Sequence, residues 1–327
     1  MKRTLIPAIT LIACAPLTGL AGEWTSTEAD GRFEARFGGD VQAVWQRDLT
    51  EDPPGGERFR NSAFLHPLTT PSGFVWTDAQ PRDHGHHSGL WWPWKFVEVD
   101  GNRYVTWEIQ HGQGAHVARD VEVVHAGSDH LLWKLHNETV IRRPGDDAGP
   151  PVTDGIPVIR ETAHVRFSRH GEHANQIDVL LEHEPIADVP VFLPRNHYSG
   201  FTWRGPLAWD AESSTLLTSE GHDRSDANGE SARWMLMTGP TPAGAGATVL
   251  IMSAASDIAG TPERLRVWDA GMHNGVPFIN FNPVVREKFE LNEDNPAVAK
   301  RQYRVIASDE VIDAEQAEAL WQAWRAE

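Results

Sequence analysis

Short segments in which apolar and polar residues alternate recur along most of the chain. Residues 33–37 read Phe-Glu-Ala-Arg-Phe, and residues 41–45 read Val-Gln-Ala-Val-Trp. Alternation with a period of two places every second side chain on one face of a β-strand, and the Gly, Pro, Asp and Asn between such segments are typical of turns. The pattern predicts further strands at 104–109, 131–141, 158–167, 176–181, 233–237, 248–252, 265–268, 278–281 and 302–306.

Helical periodicity is almost absent until the end of the chain. There Asp313 can cap a helix, with Gln316 at the reciprocal capping-box position. The following apolar stripe consists of Ala317, Leu320, Trp321 and Trp324. Many strands without intervening helices are typical of an antiparallel sandwich. We therefore predict an all-β fold, a large antiparallel β-sandwich, with a C-terminal helix over 313–325 whose tryptophans pack on the sheets.

Three stretches, 50–57, 143–157 and 239–247, are predicted to be long loops. None has the length or composition of an interdomain linker. We therefore expect residues 22–327 to form a single β-sandwich domain.

The first residues are typical of an export signal. Met1-Lys2-Arg3 precedes the largely apolar run 5–17, and the small residues Gly19 and Ala21 precede an expected cleavage site before Gly22. The only cysteine, Cys14, lies in this segment, so cleavage at 21 would leave a chain without thiols. The prediction is a signal peptide at 1–21 and a periplasmic or extracellular protein. The alternative is a lipoprotein attached through Cys14.

The charge balance narrows the class of partner. The chain has 46 acidic and 29 basic residues, a formal net charge of −17, which argues against nucleic acid or an anionic membrane. No run after the first segment is long and apolar enough to predict a membrane span. Local arginines could still bind a carboxylate or sulfate, and the candidates are Arg82, Arg195 and Arg204.

Residues 82–94 concentrate side chains that could carry chemistry. The segment holds three histidines, His84, His86 and His87. It also holds three tryptophans, Trp91, Trp92 and Trp94. Imidazole is suited to proton transfer or metal binding near neutral pH, and an exposed indole is a platform for a sugar ring. We expect a reaction site beside a docking surface, the alternative being a histidine-rich loop flanked by core tryptophans.

The three imidazoles could also bind a metal. On a strand, His84 and His86 would point away from His87, whereas Gly85 favours an irregular loop in which all three could converge. Such a set, with Asp83 orienting one ring, would suit zinc or another divalent first-row metal.

A second cluster lies at residues 195–200. His197 and Tyr198 form a plausible acid/base pair, and Arg195 could hold a carboxylate. His111 is a further candidate for substrate binding. His273 is a weaker candidate beside glycines. Glu161, in a predicted strand, could be a site carboxylate, but we expect it to lie on a solvated face.

The residues 64–73, Phe-Leu-His-Pro-Leu-Thr-Thr-Pro-Ser-Gly, and 83–91, Asp-His-Gly-His-His-Ser-Gly-Leu-Trp, resemble the PmoA-like family of exported bacterial proteins. That family typically shows HP..TP.G followed by DHPHHRGLW, and here Gly85 and Ser88 replace a proline and an arginine. The resemblance implies a galactose-mutarotase-like sandwich in a polysaccharide-degrading setting. Its label, methane oxygenase, does not carry over, because no membrane span is predicted here.

These observations favour an exported carbohydrate-active enzyme with an oligosaccharide or polysaccharide substrate. The preferred reaction is elimination (a lyase or dehydratase) on a uronic-acid-containing sugar, with His84, His86 and His87 as base or metal ligands. His197 and Tyr198 would then be the acid pair. Hydrolysis is the other enzymatic possibility. The alternatives from other classes are a non-catalytic glycan-binding protein and a metal-dependent oxidoreductase.

Overall fold

A computed structural model describes residues 22–146, 149–254, 262–292 and 299–327. One sheet contains, in neighbour order, β1 (Trp24–Ala29), β2 (Arg32–Phe37), β3 (Asp40–Gln46), β4 (Phe64–Leu68), β5 (Leu90–Trp91), β13 (Phe201–Arg204), β18 (Phe278–Asn282) and β17 (Arg264–Val267). A second contains β14 (Thr215–Thr218), β15 (Trp234–Pro240), β16 (Gly246–Ser253), β20 (Lys300–Ser308), β11 (Ala174–Pro185), β10 (Ile156–Arg169), β9 (His130–Ile141) and β8 (Gly114–Ala126). A small sheet contains β19 (Phe289–Glu290), β12 (Val191–Leu193), β6 (Phe96–Val99) and β7 (Asn102–Val105).

The two eight-stranded sheets pack face to face through aromatic side chains. Phe33 of β2 meets Trp133 of β9 edge-on at 6.3 Å, and Phe201 of β13 stacks on Tyr303 of β20 at 4.1 Å between ring centroids. One core cluster of buried residues draws on strands of both sheets. The predicted antiparallel sandwich is confirmed.

A column of stacked rings crosses this core. Trp45 stacks on Trp92 at 5.9 Å, and Trp92 stacks on Phe201 at 6.1 Å with ring planes only 2° apart. Phe201 in turn stacks on Tyr303, so the column runs from β3 in one sheet to β20 in the other. We call these four side chains the aromatic column.

The C-terminal helix α1 (Ala314–Ala326) begins as the sequence predicts. The Asp313 side chain accepts a hydrogen bond from the Gln316 backbone, and the Gln316 side chain accepts one from the Asp313 backbone. Trp324 is buried and Trp321 is partly buried against β15, β16 and β20. The prediction that both tryptophans pack on the sandwich is confirmed.

The predicted strands coincide with or overlap observed ones, with one correction. The segment 104–109 is a strand only as far as Val105, and Ile109–His111 is a 3₁₀ turn. Trp107 and Ile109 are both buried there, so packing of two apolar side chains in a turn replaces the alternation of a strand. The predicted signal peptide, with Cys14, lies outside the described residues. In the described part of the chain, no helix has both the length and the apolarity needed to cross a bilayer.

The strand order also determines which loops become neighbours. The start of β5 pairs with the end of β13, since Leu90 lies opposite Trp203. The end of β13 pairs with the start of β18, where Arg204 lies opposite Phe278, and β18 pairs with the end of β17. The residues before β5 and those between β17 and β18 therefore meet at one edge of the sheet.

The turn into β5 requires glycine at position 89. Gly89 has a φ of +62°, and a Cβ there would lie 2.3 Å from the Leu65 carbonyl oxygen in β4. We expect Gly89→Ala to lower the free energy of unfolding by roughly 3 kcal/mol or more, because the backbone of β4 must move in addition to the backbone strain. Gly73→Ala is the matched control, since Gly73 has a φ of +88° with open space around a Cβ. It should cost about 1 kcal/mol. Equal losses of unfolding free energy for Gly89→Ala and Gly73→Ala, measured by denaturant unfolding, would contradict this explanation.

Because His66 of β4 is buried, we predict that the folded protein loses stability in acid. Burial lowers the pKa of His66 to about 4, and the Thr77 hydroxyl, which accepts the Leu68 N–H, can donate only to an unprotonated Nδ1. The unfolded chain takes up this proton near pH 6.5, so stability should fall as the pH drops from about 6.5 to about 4, by up to about 3 kcal/mol. His66→Asn keeps an acceptor without titrating. The His66→Asn variant should therefore show a weaker dependence of the unfolding free energy on pH between about 4 and 6.5. An unchanged dependence would show that His66 is not the group responsible.

Candidate active site

The three histidines of the 82–94 segment lie together on a compact loop. The His84 N–H donates to the Pro81 carbonyl and the His87 N–H donates to the His84 carbonyl, and the Gln80 N–H donates to the His87 carbonyl. The ring centroids of His84 and His87 are 4.7 Å apart, those of His86 and His87 4.8 Å, and those of His84 and His86 5.7 Å. The segment is an irregular loop in which the imidazoles converge.

His84 has two polar neighbours from different parts of the chain. Its Nδ1 lies 2.9 Å from Oδ2 of Asp83, and its ring meets that of His273 edge-on at 4.5 Å. Burial opposes ionisation of Asp83, but the hydrogen bond to His84 and the charge of Arg204 lower the pKa of Asp83 below its usual value. His84 is one-fifth exposed, whereas Asp83 and His273 are exposed. This trio forms the open part of the cluster.

His86 and His87 lie deeper. Burial, together with the charge of His84, lowers the pKa of His86 to about 3. His87 is 2% exposed, and burial lowers its pKa well below the usual value. Its Nδ1 has no hydrogen-bond partner in the described part of the chain. Both imidazoles are therefore neutral near pH 7.

The histidines rest on four buried aromatic side chains, Trp91, Trp107, Trp268 and Phe278, which we call the aromatic floor. His87 stacks on Phe278 at 4.7 Å, and Trp268 stacks on Phe278 at 4.9 Å. Tyr198 packs edge-on against Phe278 at 5.7 Å, on the same cluster. The segments 82–94 and 195–200, which the sequence could only place separately, therefore meet on this floor.

Positive charge surrounds Tyr198. The Arg266 guanidinium donates a 3.0 Å hydrogen bond to the phenol oxygen, and its Cζ lies 5.1 Å from the ring centroid. The Lys95 ammonium lies 5.4 Å from the same centroid and forms an ion pair with Glu108. Burial lowers the pKa of Lys95 to about 8. A cation held against the oxygen stabilises the phenolate that forms when tyrosine gives up its proton.

The other candidates of the second cluster lie further out. His197 is exposed and meets the Tyr198 ring edge-on at 5.8 Å. Arg195 is exposed, and its Nε donates to the Val285 carbonyl. His111 is exposed near His86, whose pKa its charge helps to lower. The structure places Arg266, which the sequence did not indicate, rather than Arg195, at the phenol oxygen.

The prediction that three tryptophans are exposed platforms for sugar rings is wrong. Trp91, Trp92 and Trp94 are 3%, 0% and 2% exposed. Trp92 has both ring faces covered within the aromatic column, and Trp94 lies beneath the Arg301 guanidinium at 4.8 Å. The three indoles pack in three different buried clusters and so offer no exposed face to a sugar ring. Trp91 contributes to the site only as part of the aromatic floor and of a narrow pocket beside His86.

Arg204 supports the site from the interior of the protein. It is fully buried, 3.9 Å from both Asp78 and Asp83, with its Cζ 5.0 Å from the Trp268 ring centroid. Its burial argues against direct binding of a substrate anion. Its charge instead holds Asp83 on one side and the indole of Trp268 on the other.

The metal-ligand set predicted from the sequence is also corrected. Among the described residues, two groups of three bring their ligand atoms within 4.8 Å of one another. These groups are Asp83, His84 and His273, and His125, Asp129 and His130. The trio His84, His86 and His87 is not one of them. His273 takes the place of His86 and His87 because the turn after β17 folds over His84.

Glu161 is buried rather than on a solvated face. It is 2% exposed, with Oε1 accepting from Trp92 Nε1 at 2.6 Å and from Asn137 Nδ2 at 2.8 Å. His183 Nε2 lies 2.8 Å from Oε2, and His116 Nε2 lies 3.3 Å from Oε1. Burial alone would raise the pKa of Glu161, but these two imidazoles lower it well below its usual value. The Glu161 carboxylate therefore links four side chains in the interior of the sandwich.

Residues 34–322 match the model of a family described as a family of unknown function, DUF6807. No curated protein sequence matches the chain. Solved structures similar to it include the GalM/aldose epimerase homologue from C. elegans, at 8% identity and a TM-score of 0.36, covering 88% of this chain and 98% of that chain. A likeness this distant carries no argument about activity, so function must be argued from the site.

The Glu161 cluster predicts a large stability effect. Glu161→Ala leaves the donors of Trp92, Asn137 and His183 buried without their acceptor, which should cost about 3–5 kcal/mol of unfolding free energy. Glu161→Gln keeps one acceptor oxygen and should cost less. The control is Glu182→Ala, which removes a half-exposed carboxylate paired with Lys300 and should cost under about 1 kcal/mol. Similar losses for the two alanine variants in denaturant unfolding would show that Glu161 is not structural.

Proposed function

The chain belongs to the DUF6807 family, whose function is unknown, and we propose from its site that it is a carbohydrate-active enzyme that works by proton transfer. The observation that carries this proposal is the placement of Tyr198, under the Arg266 guanidinium, on the same aromatic floor as the histidine loop. A phenol and neutral imidazoles on one surface supply a proton donor and proton acceptors at neutral pH.

The reaction that fits this arrangement best is elimination on a uronic-acid-containing oligosaccharide. An imidazole of the histidine loop takes the proton next to the sugar carboxylate. Tyr198 gives its proton to the departing glycosidic oxygen, and the electron pair of the broken C–H bond becomes the new carbon–carbon double bond. Arg266 stabilises the phenolate that remains until proton return completes the cycle.

The residue roles differ from those expected from sequence in two respects. Arg266 acts where Arg195 was expected, because it alone of the two reaches the phenol oxygen in the structure. The sugar would contact the polar rim of His84, His86, His273 and Tyr198 rather than exposed indoles. Burial of the three tryptophans also weakens the alternative of a non-catalytic glycan-binding protein, which relied on them. Export and the PmoA-like resemblance remain predictions.

The activity is tested by incubating the chain with a panel of uronate oligosaccharides and following the ultraviolet absorbance of a conjugated double bond. Absorbance should rise, and Tyr198→Phe should lower kcat by about 10²–10⁴, the usual contribution of a general acid or base. Tyr104→Phe is the matched control, because Tyr104 lies on β7 beside the second core cluster and outside the floor.

The outcomes separate the hypotheses. A flat trace across the panel would reject elimination, and product analysis would then decide between hydrolysis and binding alone. Equal kcat values for the Phe variants at 198 and 104 would reject Tyr198 as the acid. Circular dichroism and thermal unfolding of both variants provide the check on folding.

A further inference from the structure

We propose that Asp83, His84 and His273 bind a divalent first-row metal ion that receives the carboxylate of the substrate. Their ligand atoms all lie within 4.8 Å of one another, with 2.9 Å between His84 Nδ1 and Asp83 Oδ2. Ligand atoms around a tetrahedral zinc ion lie about 3.4 Å apart, as follows from metal–ligand bonds of about 2.0–2.1 Å. The three atoms therefore need only small side-chain rotations to surround one ion.

Donor chemistry and exposure indicate the kind of site. Two imidazoles and one carboxylate are a common donor set for zinc, and imidazole also suits copper, iron and nickel. Three protein ligands leave at least one position for water or a substrate oxygen, the arrangement of a catalytic rather than a structural metal. All three side chains are partly or largely exposed, so a sugar carboxylate can reach that position.

Packing and hydrogen bonds hold the ligands in place. The Trp268 ring lies 4.9 Å from that of His84 and 4.2 Å from that of His273, so one buried indole supports both imidazoles. His87 also stacks on His84, at 4.7 Å. The His273 loop is tied down because the Asn274 side chain donates to Asp210 and the Ala211 N–H donates to the Asn274 carbonyl.

The electrostatics limit the affinity without preventing binding. Arg204 lies 3.9 Å from Oδ1 of Asp83, and its charge disfavours a nearby cation. Asp78 lies at the same distance from Arg204 and offsets that charge. Arg204 faces Oδ1, whereas Oδ2 faces His84, so the oxygen that faces the proposed ion is the one turned away from the arginine.

The chain contains a second cluster that a binding experiment must separate from the first. His125, Asp129 and His130 lie at the turn between β8 and β9, where Asp129 contacts His125 at 3.2 Å and His130 at 2.8 Å. This cluster has no ring contact with the aromatic floor among the described residues. It supplies the matched control.

The site is tested by titrating the purified full chain, freed of metal by chelator and dialysis, with Zn²⁺ by calorimetry and with Co²⁺ by visible absorption. His273→Asn removes the ligand while keeping a residue that tolerates the observed φ of +52°. We expect this variant to bind Zn²⁺ at least about tenfold more weakly and to lose the cobalt d–d bands, since one of three protein ligands is gone. His130→Asn should leave both signals unchanged.

The results distinguish this inference from the proposed function on which its catalytic part rests. Unchanged binding by His273→Asn, or loss of binding in His130→Asn, would overturn the metal site whatever the activity. Metal bound at His273 without any elimination product would support the site and reject the elimination reaction. Elimination that persists in full after metal removal would reject the proposed role of the ion in holding the carboxylate.

Discussion

Trp92 is the residue on which the candidate site depends most. Its ring is stacked between Trp45 and Phe201 in the aromatic column, and its N–H donates to the buried carboxylate of Glu161. The next residue along the chain toward the loop, Trp91, is already part of the aromatic floor. The core of the sandwich therefore fixes β5, and β5 fixes the orientation of the histidine loop that precedes it.

The polar interior extends this constraint across the sandwich. Glu263 accepts hydrogen bonds from Tyr303 and lies 3.5 Å from Arg301, whose guanidinium covers Trp94. Charges buried this deeply are tolerated only when paired, and losing one partner leaves the other uncompensated. The aromatic column thus ends at Tyr303, which donates to Glu263 of the Glu263–Arg301 ion pair. In the middle of the column, Trp92 donates to the carboxylate of Glu161. Stacking thus buries the rings, and polar contacts orient two of them, Trp92 and Tyr303.

The sequence predicted the site best where the chemically active residues are neighbours along the chain. The three imidazoles lie within four residues, so their proximity could be predicted without knowing the fold. Arg266, Trp268 and Phe278 could not be recognised in this way, because only the register of β17 and β18 against β13 brings them to the loop. Glu161 was misplaced for a related reason. Alternation shows that a residue shares a face with its second neighbours, but only the packing of the other sheet shows which face is buried.

The site has an uneven charge distribution, and this decides how a uronate would lie in it. Arg266 and Lys95 place positive charge around Tyr198, whereas Asp83 adds negative charge on the histidine side. Without a metal, a uronate carboxylate would be attracted by the positive charge around Tyr198. A divalent ion held by Asp83, His84 and His273, as we propose, would favour the histidine side instead, since its two positive charges exceed the single negative charge of Asp83. The carboxylate would then lie on the histidine side and leave the phenol free to face the leaving oxygen. The proposed elimination and the proposed metal site would therefore be linked by electrostatics, even though each can be measured alone.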